Sequence, residues 1–359
     1  MKIRSTGLWA AFLLASAALS AAQTYTISDL GVLKGDNESS GFWINNLGDV
    51  VGCSDTQTSE GYPCTGLVAG QHAFLWTKSG GLKDLGTLSG GTVSAALGIN
   101  DTDSVVGYSN LQGQPATNFV AFLWTPSAGM VNLGTLPSGS SSAAFEINSS
   151  GVVAGDSFLG SSVVYGATWT NNKIKRLGAL PKTVFTAAFD LNDSGQVVGE
   201  SVFSFGPPYV SHGVLWNAST VTDLGTLPGG VTSVANAINS AGVIVGQSDG
   251  SGTAGHWRAV MWDASRKIHS LGVLPGGTYS IAFGVNDSGV VVGYGNISNN
   301  AAHAMIWTSI GGMQDLNSLL PLNSGWLLIN ANSINNLGQI TGYGTRGGHN
   351  HAFVLTPVN

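Results

Sequence analysis

Charge is scarce in this chain. Asp, Glu, Lys and Arg make up 9% of its 359 residues, against about 25% in ordinary globular proteins. Self-repulsion cannot keep such a chain unfolded, because 43% of it is hydrophobic and the net charge is only −6. Basic residues are too few, 13 against 19 acids, to neutralise a phosphate backbone, so no nucleic acid is expected as a partner. Long helices and coiled coils are excluded, since no stretch sustains a helical period of Ala, Glu, Lys, Leu and Arg. The two cysteines, Cys53 and Cys64, are too few for a zinc site by themselves. Beyond residue 22 no run is long and apolar enough to span a bilayer, so no membrane span is expected.

What is abundant is glycine, 52 residues of it. Together with β-branched runs and Pro and Asn punctuation, it predicts many short strands joined by tight turns. Residues 1–22 read as a secretory signal: Lys2 and Arg4 precede a short apolar core, Leu8 to Leu19, and Ser20-Ala21-Ala22 offers small residues for cleavage. Without them the charge becomes −8. The expected location is secreted or periplasmic, in a bacterium. In that oxidising setting Cys53 and Cys64 are expected to form a disulfide across a Gly/Ser/Thr-rich insertion.

Residues 23–359 repeat one unit seven times. Each unit carries a Leu-Gly pair, usually after Asp, as in Asp84-Leu85-Gly86 and Asp223-Leu224-Gly225, with a worn last copy, Asp315-Leu316-Asn317. Each carries an aliphatic-Asn pair, with Asn at 45, 100, 148, 192, 239, 286 and 335. Each ends an aromatic strand in Trp, at 76, 124, 169, 216, 262 and 307, with Leu355 in the last slot. Four strand signals per unit and a period near 48 match propeller blades. The first strand signal, Tyr25 to Leu33, lacks a third strand before it. The last, His351 to Leu355, lacks a fourth strand after it. Their pairing predicts an all-β, seven-bladed β-propeller of four antiparallel strands per blade, whose closing blade is shared by both ends of the chain.

The recurring His72-Ala73-Phe74-Leu75-Trp76, His351-Ala352-Phe353 and Asp223-Leu224-Gly225-Thr226-Leu227-Pro228-Gly229-Gly230 resemble the HAF-type bacterial extracellular repeat family. The resemblance covers nearly all of residues 23–359. It implies an exported repeat protein and no particular chemistry. Val120, Tyr165 and Arg258 replace the His of the motif in three units, which points to a structural role for it.

Motifs of chemistry mostly fail their context. Gly246-Gln247-Ser248-Asp249-Gly250 spells a nucleophile elbow but sits at a strand end, and no helix follows. Gly342-Tyr343-Gly344-Thr345-Arg346-Gly347 spells a dinucleotide fingerprint outside any βαβ unit. No cofactor is therefore expected. The Asn/Asp-rich turns after the Asn anchors lack the spaced acidic ligands of a calcium loop. The irregularity that remains is acidic. Glu146 and Asp190 occupy one inner-strand slot, and Asp156 and Glu200 a second-strand slot, only in the third and fourth units. Two readings follow: solvated groups lining a wet central channel, or a cation site or carboxylate pair for glycoside chemistry. Trp257 and Trp326 lie outside the repeat slots and are candidates for exposed aromatic contacts.

From the Leu-Gly anchor's Asp slot to the Asn anchor the spacing is constant in six units, and from Trp to the next Asp slot it is nearly so. Length varies between the second and third strands, in segments such as Cys53 to Gln71 and Asn110 to Val120. The reading is a binding or structural module whose variable loops meet an unknown ligand, a glycan or a protein. The alternative is a polysaccharide hydrolase using Glu146 and Asp190.

Overall fold

The computed structural model describes residues 23–56, 63–64, 70–160, 163–251 and 256–358. The leader-like residues 1–22 and much of the Cys53–Gln71 insertion lie outside them. The described residues form seven four-stranded antiparallel sheets, six of them ordered from an inner to an outer strand in chain sequence. Blade one runs from Glu38 to Gly86, and blades two to six follow. Blade seven takes its inner three strands from Trp326–Ile334, Ile340–Arg346 and His349–Val358 and its outer strand from Thr24–Gly31. Thr24 pairs with Val358 and Ile27 with Leu355. The molecule is a seven-bladed β-propeller closed by both ends of the chain. The last strand is longer than its sequence signal, because ladder pairing continues past the aromatic motif to Val358, whereas the first ends at Gly31, short of Leu33.

There is no single core. Hydrophobic residues cluster between blades, as where Val198, Leu215 and Leu224 of blade four meet Ala235, Ile238, Val260 and Trp262 of blade five. The repeat Trp side chains seal these seams. The indole N–H groups of Trp169, Trp216 and Trp262 donate to the carbonyls of Leu133, Gly178 and Leu224, each on the preceding blade, at 2.7–3.0 Å. A large apolar body is buried and its one polar atom is satisfied. A hydroxyl adds a stitch. Ser39, Ser94, Ser142, Ser233 and Ser280 donate to the Gly carbonyl of the preceding Leu-Gly pair at 2.6–2.7 Å. Each also accepts a third-strand N–H of that blade, as Ser39 does from Ala352.

The worn seventh copy compensates. Leu328 fills the place of this Ser and has no hydroxyl. Asn317, standing where other units have Gly, takes over: its side chain donates to the Leu328 carbonyl and accepts the Leu328 N–H. A 3₁₀ turn at Leu316–Leu319 and a second bulge in the inner strand absorb the extra residues of this unit.

The motif His also finds its partner in the ladder. His72, His212, His303 and His351 bring Nδ1 to 2.6–3.0 Å from Asp84, Asp223, Asp315 and Asp29, the Asp of the Leu-Gly motif on the adjacent outer strand. The three blades that lose the His lose the Asp as well: Val120 accompanies Asn132, Arg258 accompanies Ser270, and Tyr165 accompanies Arg176. In the last pair the guanidinium lies 3.4 Å from the ring centroid, a cation–π contact in place of an ion pair.

Every inner strand carries a bulge at the same place, as between Ala144 and Glu146 or Ala188 and Asp190. The bulge pushes a carbonyl toward the second strand, and this explains the Gly of Val-Val-Gly. A Cβ at Gly199 would lie 1.9 Å from the Ala187 carbonyl oxygen, and at Gly293 2.0 Å from that of Ile281. Gly199→Ala is therefore expected to lower stability by about 2–3 kcal/mol or to abolish folding, as overpacking against rigid backbone does. Gly195→Ala, at a turn Gly with open space around it and φ of 77°, should cost only about 1 kcal/mol. Urea denaturation of both variants checks the order.

Candidate functional site

The Asn anchors meet at the axis. Asn45 donates from its side-chain amide to the carbonyl of Asn100, Asn100 to Asn148, Asn148 to Asn192, Asn192 to Asn239, Asn239 to Asn286, Asn286 to Asn335, and Asn335 back to Asn45. The seven bonds measure 2.8–3.2 Å and close a complete ring. Each Oδ1 meanwhile accepts the backbone N–H four residues on, at Asp49, Ser104, Val152, Gln196, Val243, Val290 and Gln339, pinning its own turn. Only an amide supplies both functions, which is why Asn recurs. The turn closes through a residue of positive φ, Gly in six blades and Asp103 at 58° in blade two.

A second, outer ring sits one residue further on. The backbone N–H of Asn46, Ser149 and Ser240 donates to the carboxylates of Asp101, Asp193 and Asp287, that of Asp287 to Asn336, and that of Asn336 to Asn46. It breaks only where the accepting residue would be Ser149 or Ser240. Below these rings the last inner-strand residues, among them Ile99, Ile147 and Leu191, form an aliphatic collar, and Trp43 and Glu146 stand deeper. Together they line an axial funnel of about 190 Å³.

Three of the four acids are withdrawn from solvent, Glu146, Asp156 and Asp190 being 3–5% exposed, although Glu146 also borders the axial funnel. Glu146, Asp156 and Asp190 are buried between neighbouring blades, and backbone amides donate to Asp156 and Asp190. Asp190 accepts the N–H of Leu191 and, across the seam, that of Ile238, both at 2.7 Å. Asp156 accepts the N–H of Ala188 in the next blade at 2.9 Å. Burial raises the Asp190 carboxyl to about 7 despite these bonds. It raises Glu146 and Asp156 well above the carboxylate range, and the facing charges of Asp190 and Glu200 push further in the same direction. Among the described residues Glu146 Oε2 has no hydrogen-bond partner. Glu200 is half-buried on the loop face, also shifted upward by burial, and accepts from the Tyr209 hydroxyl at 3.3 Å.

Glu146 and Asp190 thus neighbour each other, but each oxygen of Asp190 already accepts a backbone N–H within a buried seam, which holds the carboxyl as part of the scaffold. Ser248 is fully buried; its hydroxyl accepts the Leu227 N–H and donates to the Thr232 carbonyl. Ser54, Ser109 and Ser157 accept in the same way from Leu33, Leu88 and Leu136. Among the described residues no group of three or more His, Cys, Asp and Glu is placed to hold a metal.

Trp326 is not the free aromatic the sequence suggested. It packs edge-on against Phe353 and His351, with Arg346 over its ring. Trp257 is half-buried on the loop between the second and third strands of blade five, its carbonyl accepting from Ser280. Cys53 and Cys64 are joined by a disulfide that anchors the blade-one insertion to its second strand. The aromatics most open to solvent were missed. Phe205, 60% exposed, and Tyr209 lie on the corresponding loop of blade four, beside exposed Val184 and Val231 at the entries to blades four and five. The stretch Phe205-Gly206-Pro207-Pro208-Tyr209, an aromatic-proline insertion in one unit of seven, was the signal that pointed there.

No protein-family model matches this sequence, and no curated protein matches it. Among solved structures the chain is similar to a puromycin-hydrolyzing peptidase from Mycobacterium tuberculosis, at 12% identity and a TM-score of 0.50, covering 88% of this chain and 52% of that one. It is also similar to TolB from Acinetobacter baumannii, at 10% identity and a TM-score of 0.45, covering 81% of this chain and 61% of that one. A protein of unknown function from Dyadobacter fermentans gives 10% and 0.45, covering 93% and 99%. The chain therefore spans about half to three-fifths of the first two. At these identities the likeness is one of fold alone.

The buried acids set a pH dependence whose sign is fixed. A carboxyl raised in the folded state binds its proton more tightly there than when unfolded. Stability is then lost as pH rises from the ordinary value near 4 to about 7 at Asp190, and is constant above. Asp29 works in the opposite sense. Burial opposes its charge, but bonds from His351, Gly31 and Arg346 hold it down at about 2, so its contribution disappears as pH falls from near 4 through about 2. Thermal denaturation should accordingly show greatest stability near pH ~4, with progressive losses toward pH ~7 and below pH ~3. Glu146→Gln should shrink the loss on the alkaline side and leave the acid side unchanged.

Proposed function

We propose that this protein is an exported, non-catalytic binding module whose ligand, a glycan or a protein, is met by the loops that follow the second and outer strands. One observation carries the reading. The exposed apolar residues Val184, Phe205, Tyr209 and Val231 gather on that face, where unit lengths vary, while the opposite turns are pinned by the Asn ring. Exposed apolar surface gathered in one place marks an interaction site rather than scaffold. Tyr209 pairs an aromatic face with a hydroxyl tied to Glu200, a combination suited to a ligand with both apolar and hydroxylated surface. The resemblance to HAF-type extracellular repeats, together with the leader-like residues 1–22, supports export. The hydrolase reading is weakened by the commitment of Asp190 to two backbone amides.

Purified residues 23–359 should retain a ligand on a glycan array, or in a pull-down from envelope proteins, without turning it over. Phe205→Ala and Tyr209→Ala together should weaken that binding by about tenfold or more, the usual scale for aromatic anchors, at unchanged melting temperature. Hydrolysis of any captured glycan, abolished by Glu146→Gln, would overturn the reading in favour of an enzyme.

A further inference from the structure

The axial funnel lies on the face opposite the variable loops and stands independently of the reading above. Its chemistry is layered. The rim carries Asp101, Asp193 and Asp287, each fixed by a backbone N–H of the preceding blade. The collar below is aliphatic, and at the floor stands Glu146. No Lys, Arg or His lines the funnel among the described residues. Glu146 is 5% exposed and, among the described residues, its Oε2 has no hydrogen-bond partner. The room for that oxygen exists because Gly98 stands beside it: a Cβ there would lie 2.6 Å from Oε2. A buried carboxyl oxygen without a donor is costly, and the seam gives Asp190 two amides but offers this atom none.

A metal ion does not fit this arrangement. A hard cation wants six or more oxygen ligands. The Asn side-chain oxygens and both oxygens of Asp190 already accept backbone N–H groups. An alkylammonium needs fewer acceptors and brings methylenes that match the collar. From Glu146 to the rim residue Ser149 is three residues of chain, about 10 Å when extended. We propose that the funnel binds an elongated aliphatic diamine, one ammonium paired with Glu146 at the floor, the methylenes along Ile99, Ile147 and Leu191, and the second ammonium at the rim aspartates.

The test is calorimetric titration of residues 23–359 with hexamethylenediamine, hexylamine and calcium chloride. The expected result is one diamine per chain. Hexylamine should bind about three- to fivefold more weakly, since it forgoes the solvent-exposed contact with the rim aspartates, and calcium should neither bind nor compete. Glu146→Gln should weaken the diamine at least about tenfold, as loss of one desolvated ion pair implies, and its melting temperature, equal to or above that of the parent at pH ~8, confirms that the variant is folded. Joint replacement of Asp101, Asp193 and Asp287 by Asn should bring the diamine down to the level of hexylamine. Independently of any variant, the side-chain amide NMR signals of Asn148 and Asn192 should shift on titration of the unaltered protein. Absence of diamine binding at millimolar concentration, unchanged affinity in Glu146→Gln, or displacement of the diamine by calcium would each overturn the proposal.

Discussion

A side-chain amide that both donates and accepts at the axis holds this molecule in register. Each Asn anchor fastens its own turn through oxygen and the next blade through nitrogen. Local turn geometry and global closure are therefore carried by one residue type. Seven blades bring each amide within reach of the next carbonyl, and the last bond, from Asn335 to Asn45, spans nearly the whole chain. Around it the bulged inner strand sets the second strand's requirement for Gly. The Trp and Ser contacts then lock most seams outward from the axis, with Asn317 taking the hydroxyl's place at the seventh blade. The charge-poor composition follows, since most of the chain faces another blade and a charge there must be paired or neutralised.

The repeats are a record of which interactions travel together. His and Asp of one hairpin are present or absent as a pair, and where both are gone an aromatic ring and a guanidinium do the same work at Tyr165 and Arg176. In the seventh unit the lost hydroxyl at Leu328 is replaced by the amide of Asn317. Such exchanges identify these residues as scaffold more firmly than their recurrence does. They also sharpen attention on what is not repeated: the buried acids of blades three and four, and the aromatic loop of blade four.

The architecture was legible in the sequence because it is periodic. Strand count, blade count and the shared closing sheet followed from where Leu-Gly, Asn and Trp recur and from which strands lack a partner. The purpose of the Asn was not legible, since a bond between residues some 47 apart leaves no local trace. The acids were found by their irregularity, but their surroundings were misjudged. Alternation places Asp190 on an inner strand without revealing that the neighbouring blade offers it the Ile238 amide. Trp326 was singled out for falling off the repeat, yet the bulged start of its strand folds it onto Phe353. Exposure depends on what packs beside a strand, within its own blade for Trp326 and across the seam for Asp190, and alternation along one strand encodes neither.

The closing sheet has a mechanical corollary. Thr24 lies opposite Val358, so the two outermost ladder positions sit at the same end of an antiparallel pair. Tension applied between the extremities would load those hydrogen bonds singly, in peeling, rather than sharing the force along the strand. A ring joined in this way would open one rung at a time when its extremities are drawn apart.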